Sequence, residues 1–367
     1  MARVACRLAM PAGARVSDAS EARRPAATHR PARMTISAIV PVFDGAAVLG
    51  RSLPPLVAFA RSGAIDEVIV VDDGSADASA RIAAECGAQV IASGGRLGPG
   101  GARNRGGAVA RGEVLWFVDA DVVVHDDAAA VIASAFADTT VAAVFGTYDD
   151  TPAAPNFLSQ YRNLLHRHHH IDADPAAETF WAGCGAVRAD AFAAAGGFDA
   201  TGFPRPSIED VELGLRLRAR GYAIRIDTAL QGKHLKTWHL ASLVRTDVLH
   251  RALPWTRLMA ARRIPAVLNT RPAERWRAAL AWLLALSVPA ALAGVVPWPV
   301  PPLAALAALA ANAPLVTHFA RARGPLFALG AGLFHQVYYL YASAAFVAGM
   351  LAVAVEGRRA SRTSRRA

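Results

Sequence analysis

The sequence predicts an α/β domain with a mainly parallel sheet, followed by an α-helical transmembrane region. Three observations carry this reading. From Ile36 onward, short β-branched runs alternate with Ala-rich helical stretches. Beyond Ala278 come three long stretches without a charged side chain. The charges of the 367-residue chain are also partitioned by region rather than spread. Apolar residues make up 54% and charged residues 19%, with mean hydropathy +0.27. That is too apolar for a wholly soluble chain of this size, too polar for a channel or carrier, and incompatible with disorder as the dominant state.

Residues 1–33 are rich in Ala, Arg and Pro and lack a sustained apolar run, so they do not read as a secretory signal. They are expected to be a disordered basic leader, or the product of a start codon called too early, with Met34 as the initiator. Apolar runs at Ile36–Val42, Glu67–Val71, Gln89–Ala92, Val114–Val118 and Val141–Phe145 read as strands covered on both faces. Between them, 46–60, 76–86, 101–110 and 127–137 have helical composition, giving a βαβ series. After 150 the alternation loosens into a stretch rich in Pro, His and Gly up to Phe203, and a helix follows from about Glu209 to Arg220.

Ala278–Trp298, Pro299–Phe319 and Pro325–Val355 contain no Asp, Glu, Lys or Arg. The first two match the length of a bilayer-spanning helix. The third is too long for one upright span, and its His335, Gln336, Tyr338, Tyr339 and Tyr341 resemble an interfacial belt. A re-entrant or interfacial part followed by a span from about Leu340 is therefore expected. The chain thus divides into the leader 1–33, an α/β domain 34–244, a basic juxtamembrane segment 245–277, two to three membrane helices in 278–356 and an Arg-rich tail 357–367.

The net charge of +10 comes from the two ends. Residues 1–33 hold seven Arg against Asp18 and Glu21, and 357–367 hold five Arg and no acid. Within the neutral body, 34–244 carries −7, 245–277 carries +6 and 278–356 carries +1. An acidic domain joined through a basic collar to an apolar region fits an anionic membrane surface, not a nucleic-acid groove. Arg321 and Arg323 after the second stretch obey the positive-inside rule if the α/β domain is cytoplasmic. Cys6, Cys86 and Cys184 are too few and too scattered for a disulfide scaffold or a metal knuckle.

Carboxylates stand at two strand ends, Asp72-Asp73-Gly74-Ser75 and Asp119-Ala120-Asp121. In an open parallel sheet both clusters face the crevice at the carboxyl ends of the strands. Asp119 and Asp121, two apart in a turn, can reach one hard cation such as Mg²⁺ or Mn²⁺ through oxygen, as a diphosphate site requires. Between them lies the Gly-rich loop 94–106, whose Arg103 suits an anion or a base edge. This is not the dinucleotide fingerprint, because it follows the third strand and carries Arg103 where the third Gly belongs. Glu209-Asp210-Val211-Glu212 opens a helix, where a carboxylate facing the crevice can act as general base. Lys233 and Lys236 are the only lysines among 39 basic residues, and they flank His234; neutral imidazole ligates Mn²⁺, and an ammonium offsets a departing diphosphate. His166, His168, His169 and His170 resemble a metal cluster but have no accompanying acid or Cys, so a solvated or acceptor-facing segment is expected there.

The order of these motifs resembles the family 2 glycosyltransferases, whose fold is the GT-A nucleotide-diphospho-sugar transferase fold. The resemblance covers about 36–240 and rests on Pro41-Val42-Phe43-Asp44, Val71-Asp72-Asp73-Gly74-Ser75, Gly101-Ala102-Arg103-Asn104-Arg105-Gly106, Asp119-Ala120-Asp121, Gly196-Gly197-Phe198-Asp199, and Glu209-Asp210-Val211-Glu212-Leu213 followed by Arg216 and Gly221-Tyr222. It implies that Pro41 and Asp72 hold the nucleobase and ribose, assisted by Arg103. It also implies Asp121 as the direct metal ligand, Asp119 at ribose or metal-bound water, His234 as a further ligand and Asp210 as the base. Lys236 joins Arg103 at the leaving diphosphate. Asp44 replaces the frequent Asn, which leaves the nucleotide open. The Gln-x-x-Arg-Trp signature of processive synthases is absent, with His234-Leu235-Lys236-Thr237-Trp238 near its place, which implies a single-transfer enzyme.

The expected activity is metal-dependent inverting transfer from a nucleotide-diphospho-sugar to a hydroxyl of a lipid-linked or glycan acceptor. The expected location is a bacterial inner membrane with the catalytic domain cytoplasmic and no nucleic-acid partner. Two alternatives are a polyprenyl-phosphate sugar synthase, whose anionic acceptor needs no base, and a non-catalytic nucleotide-sensing membrane protein.

Overall fold

A computed structural model describes residues 33–262 and 272–364. The leader, apart from Arg33, lies outside the described residues, as do the middle of the basic collar and the end of the tail. The strands are β1 (Ile36–Val42), β2 (Glu67–Asp72), β3 (Gln89–Ala92), β4 (Val114–Val118), β5 (Val122–Val124), β6 (Val141–Tyr148), β7 (Cys184–Arg188) and β8 (Ala223–His234). They form one sheet in the order β3-β2-β1-β4-β7-β6-β8-β5. Pairing is parallel from β3 through β4 and between β6 and β8, and antiparallel at β4–β7, β7–β6 and β8–β5. The five predicted apolar runs all become strands. Strands β5, β7 and β8 escape sequence reading: β5 hides behind the acidic turn, and β8 carries Asp227, Thr228 and Gln231 with much of its length half-exposed.

The helices of this domain are α1 (Ala46–Ser62), α2 (Ser79–Cys86), α3 (Gly98–Val109), α4 (Ala128–Ala137), α5 (Phe157–Ile171), α6 (Ala189–Ala195) and α7 (Glu209–Ala219). They cover both faces of the sheet. Leu49, Leu53 and Leu56 of α1 and Ile132 and Phe136 of α4 pack on Ala38, Val40 and Trp116. On the other face, Ala102, Phe192, Leu213 and Leu217 pack on Ile39, Val71 and Phe117. Alternate residues of each strand are thus buried on opposite sides, which is why the runs show no polar periodicity. The polar residue inside β1 is satisfied: Ser37 Oγ donates to Glu67 Oε1 at 2.7 Å and accepts from Gly112 N–H at 2.8 Å. Gly106 lets α3 lie on the sheet, since a Cβ there would meet Ile39 Cγ2 at 2.4 Å.

Beyond His234 follow α8 (Leu240–Arg245), a π-helical turn Thr246–Ala252, α9 (Leu253–Arg262), α10 (Pro272–Leu292), α11 (Val300–Ala311), α12 (Ala313–Arg323) and α13 (Pro325–Ser364). A third apolar cluster joins Tyr161, Leu164 and Leu165 of α5 to Trp238, Leu243, Leu315, Phe319 and Ala328. The two parts therefore share a core across residue 244. Arg162 adds a buried ion pair with Asp247 at 2.8 Å, and Asp247 also accepts from Tyr341 Oη at 2.8 Å.

The membrane stretches differ from expectation in three places. The first helix, α10, ends at Leu292, short of Trp298, so its uncharged part is too short for a crossing. The second stretch is not one upright span, since α11 and α12 meet at 80°. Pro314, in the first turn of α12, cannot continue the backbone ladder, and Asn312 at the corner donates to Ala308 O at 2.9 Å and accepts from Tyr339 Oη at 3.1 Å. The third stretch has no re-entrant break before Leu340 and runs as one helix. Among the described residues, Pro325–Glu356 is the one helix long and apolar enough to cross a membrane, or one of two if the bent pair counts as a span.

Candidate active site

A cleft of about 1760 Å³ opens over the carboxyl ends of β1, β2 and β4. Pro41 and Asp44 form its β1 wall. Asp44 sits at φ 49, a left-handed conformation that Asp tolerates by bonding locally. Its carboxylate accepts from Ala76 N–H at 2.8 Å, and its own N–H donates to Ser75 Oγ at 3.0 Å. The loops after β1 and β2 are thereby tied together. The Arg96 guanidinium lies 3.7 Å from the Phe43 ring centroid at the rim.

The two carboxylates after β2 divide their work. Asp72 is half-buried and accepts from Ser75 N–H at 3.2 Å. Asp73 is buried, lines the cleft and accepts from Leu97 N–H and Gly98 N–H, each at 2.8 Å. It anchors the Gly-rich loop where α3 begins. Gly98 has φ +76, and a Cβ there would meet Pro204 O at 2.5 Å, so only glycine fits.

Arg103 is buried and bridges two acidic elements. Its Nη2 meets Asp119 Oδ1 at 2.6 Å, and its Nη1 meets Glu209 Oε1 at 3.0 Å. Burial works against its charge, but Asp119, Glu209 and Asp210 outweigh that and hold it protonated more firmly than usual. Removing one partner of such a buried pair costs roughly 3–5 kcal/mol. Arg103 therefore fixes the start of α7 against the end of β4, and with it the position of Asp210.

Asp210 lines the cleft and accepts from Ala182 N–H at 3.2 Å and Val211 N–H at 2.8 Å. Burial, reinforced by the neighbouring Glu209 charge and opposed by Arg103, pushes its pKa up to about 7. A carboxylate so tuned accepts a proton near neutrality far better than an ordinary Asp.

The opposite corner is made by strand pairing. β5 and β8 run antiparallel with Val122 opposite His234, and Leu235 N–H donates to Asp121 O at 2.8 Å. This register brings His234 Nε2 to 3.3 Å from Asp121 Oδ2. The other ring nitrogen, Nδ1, lies 2.7 Å from Asn163 Oδ1. Asn163 is oriented by its own amide N–H, which donates to Ser159 O at 2.9 Å. Its oxygen therefore faces the imidazole and requires a proton on Nδ1. In the neutral ring the Nε2 lone pair then points at a carboxylate oxygen, an arrangement completed only by a cation or a further proton between them. Tyr148 stacks on the ring at 4.3 Å between centroids. Burial acts to raise the Asp121 carboxyl, but His234 and Lys236 outweigh it and hold it below the usual range.

Lys236 is exposed at the cleft, its Nζ 4.2 Å from the Trp238 ring centroid. Lys233 points elsewhere, to Asp149 Oδ2 at 3.1 Å and Thr151 O at 2.6 Å. The strand alternation between residues 233 and 234 separates these neighbours. Of the two expectations for the histidine run, a solvated or an acceptor-facing segment, the half-buried helix departs from the first, while its place on the cleft wall is compatible with the second. The run is the C-terminal half of α5, half-buried, and His166, His169 and His170 line the cleft. His166 packs on Tyr148 at 4.5 Å and Trp181 at 4.7 Å, and burial holds it well below its ordinary pKa. His170 Nδ1 lies 2.8 Å from Gly146 O, and burial lowers its pKa to about 4. No group of three or more His, Cys, Asp or Glu among the described residues has the geometry of a metal cage. Asn163 and Tyr148 are the site residues that sequence reading misses, neither with a local signal; Asp73 reads in sequence as part of the crevice-facing carboxylate cluster, without a role of its own.

The family model for glycosyl transferase family 2 matches residues 37–194. No curated protein sequence matches the chain. Among solved structures, the mannosyltransferase PcManGT from Pyrobaculum calidifontis, in complex with GDP-Man and Mn²⁺, aligns with a TM-score of 0.52 at 19% identity, covering 86% of this chain and 87% of that one. The mannosyl-3-phosphoglycerate synthase from Rubrobacter xylanophilus aligns at 0.43 and 20% identity over 65% and 79%. The first likeness identifies the fold as GT-A.

Proposed function

We propose that this chain, a glycosyltransferase of family 2, catalyses metal-dependent, inverting single transfer from a nucleotide-diphospho-sugar to a hydroxyl acceptor at a membrane. The observation that carries the reading is the convergence of Asp121 and His234 beside a second charged corner at Asp210. Asp121 and His234 would hold the divalent ion, Mn²⁺ or Mg²⁺, through a carboxylate oxygen and an imidazole nitrogen. When bound there, the ion supplies positive charge to the departing diphosphate. Lys236, two residues past the end of β8, adds an ammonium to that side.

The rest follows from the protein's own groups. Pro41 and Asp72, with Arg103, bound the donor nucleotide side. Asp119 is held by Arg103 and so offers its remaining oxygen to ribose or metal-bound water. Asp210, across the cleft from the diphosphate corner, takes the acceptor hydroxyl proton as the sugar carbon is attacked from the face opposite the leaving group. One base on one side and one leaving-group clamp on the other yield inversion in a single step. The raised pKa of Asp210 favours this reading over a phosphate acceptor, which would need no base. The helix Pro325–Glu356 and the basic residues before α10 support membrane attachment with the domain on the cytoplasmic side.

The test is donor turnover. Full-length enzyme incubated with UDP- and GDP-sugars and Mn²⁺ should release nucleoside diphosphate, and Asp121→Ala should abolish the metal-dependent release while the protein stays folded. Unchanged turnover in that variant would remove the reading.

A further inference from the structure

The cleft does not end at the catalytic carboxylates. It continues past Asp210 along the π-helical turn and α9 into a groove between α10 and α13. Ser207, three residues before Asp210, donates through Oγ to His250 O at 3.0 Å, so the turn 246–252 forms the wall beside the base. The groove is lined by Trp255, Met259, Ala279, Trp282, Phe346 and Val347. Trp282 Nε1–H donates to Ser343 Oγ at 3.0 Å and fixes the spacing of the two helices. Arg245, Arg251 and Arg275 line the same cleft, together with Asp247 and Glu274; Asp247 is held by Arg162 at 2.8 Å and Glu274 by Arg277, so the cations of this stretch exceed its free acids. Two chemistries therefore meet in one continuous space: arginine side chains, and small aliphatic and aromatic surface. A soluble glycan can stack on Trp255 and Trp282 but offers nothing to Met259, Ala279 and Val347, and a free hydrocarbon offers nothing to the arginines.

We propose that the groove between α10 and α13 holds the hydrocarbon chain of a lipid acceptor. Its anionic linkage lies at Arg245, Arg251 and Arg275, and its acceptor group reaches Asp210. This rests on the transferase reading above and names the class of its acceptor. Chain burial contributes about 0.8 kcal/mol per methylene, so lipids bind through the groove and headgroups are positioned by the arginines. Donor binding, on the β1 and β2 side, is independent of the groove.

Photolabelling tests the assignment. Full-length enzyme in detergent is irradiated with farnesyl phosphate carrying a diazirine in its chain, and the labelled peptides are mapped. Label is expected within 278–282 and 342–347, reduced at least fivefold by a tenfold excess of untagged farnesyl phosphate. Ala279→Trp and Ala342→Trp, each filling the groove, should reduce it similarly while retaining donor binding. The same tag on farnesol should label the site more weakly. Label spread evenly over α10 to α13, or undiminished by competitor, would overturn the proposal whether or not the Trp variants fold. The transferase reading is scored separately by nucleotide release in the same preparation: specific labelling without release would sink that reading and leave the groove a lipid site.

Discussion

Two groups of histidine face the same cleft and teach opposite lessons. His234 stands alone in sequence, yet β5–β8 pairing sets it 3.3 Å from a carboxylate, and Asn163 fixes which nitrogen is free. The run His166–His170 has four imidazoles within five residues, but the rings of His166 and His170 pack on Tyr148, Trp181 and each other, with no carboxylate among the described residues they contact. Density of ligand-type residues is therefore no guide to a metal corner. What matters is a carboxylate partner and a second polar group that leaves one lone pair aimed at it. Both groups depend on one helix, for Asn163 lies one turn before His166 on α5.

The sharpest way to break this contrast is at the corner itself. His234→Ala and Asp121→Ala should each lower metal-dependent turnover about a thousandfold, because a charge clamp on a leaving group is worth several kcal/mol, whereas His166→Ala should cost little. Equal losses in a steady-state assay would erase the distinction. On the proposed reading the base is neither histidine group. Asp210→Asn should cost at least about a hundredfold. In the wild type, kcat/KM should rise with pH through about 7 as Asp210 ionises, and the variant should lack that limb; a limb that persists would take the base role away from Asp210. Asn163→Leu should weaken metal binding by about 10–100-fold, measured by titration with Mn²⁺. Asn163→Asp, which keeps an acceptor for Nδ1–H, should lose less.

The smallest effect concerns the run. His166 is held neutral by burial, its folded pKa lying below the unfolded value. The unfolded chain thus binds the extra proton first, so the stability contributed is present above about pH 6.5 and lost as pH falls toward the folded pKa. His166→Phe should flatten the acid side of a melting-temperature profile and change activity less than about threefold.

Much of this was legible in the chain. The strand ends at Asp72 and Asp119 follow from apolar runs that stop at carboxylates, Asp121 from its place two residues on, and Asp210 from a helix start rich in acid. What stayed hidden depends on long-range pairing. Asn163 sits in an unremarkable helix, and only β8 meeting β5 gives it a histidine to orient. The split of Lys233 from Lys236 needs the strand alternation of β8, whose Asp227 and Thr228 obscure it in sequence. The bend at Asn312 was signalled by Pro314, but within an uncharged stretch hydropathy spoke louder than the proline. The shared core of Tyr161, Trp238 and Phe319 joins residues too far apart in sequence for any local pattern to show.

The central claim, that Asp121 and His234 together hold the divalent ion, is tested most directly by electron–nuclear double resonance of Mn²⁺ bound to the full-length enzyme with nucleoside diphosphate. The account predicts a directly coordinated imidazole nitrogen coupling that shifts with ¹⁵N-histidine labelling, vanishes in His234→Ala and persists in His166→Ala. A spectrum without nitrogen coupling, or one unchanged in His234→Ala, would contradict it.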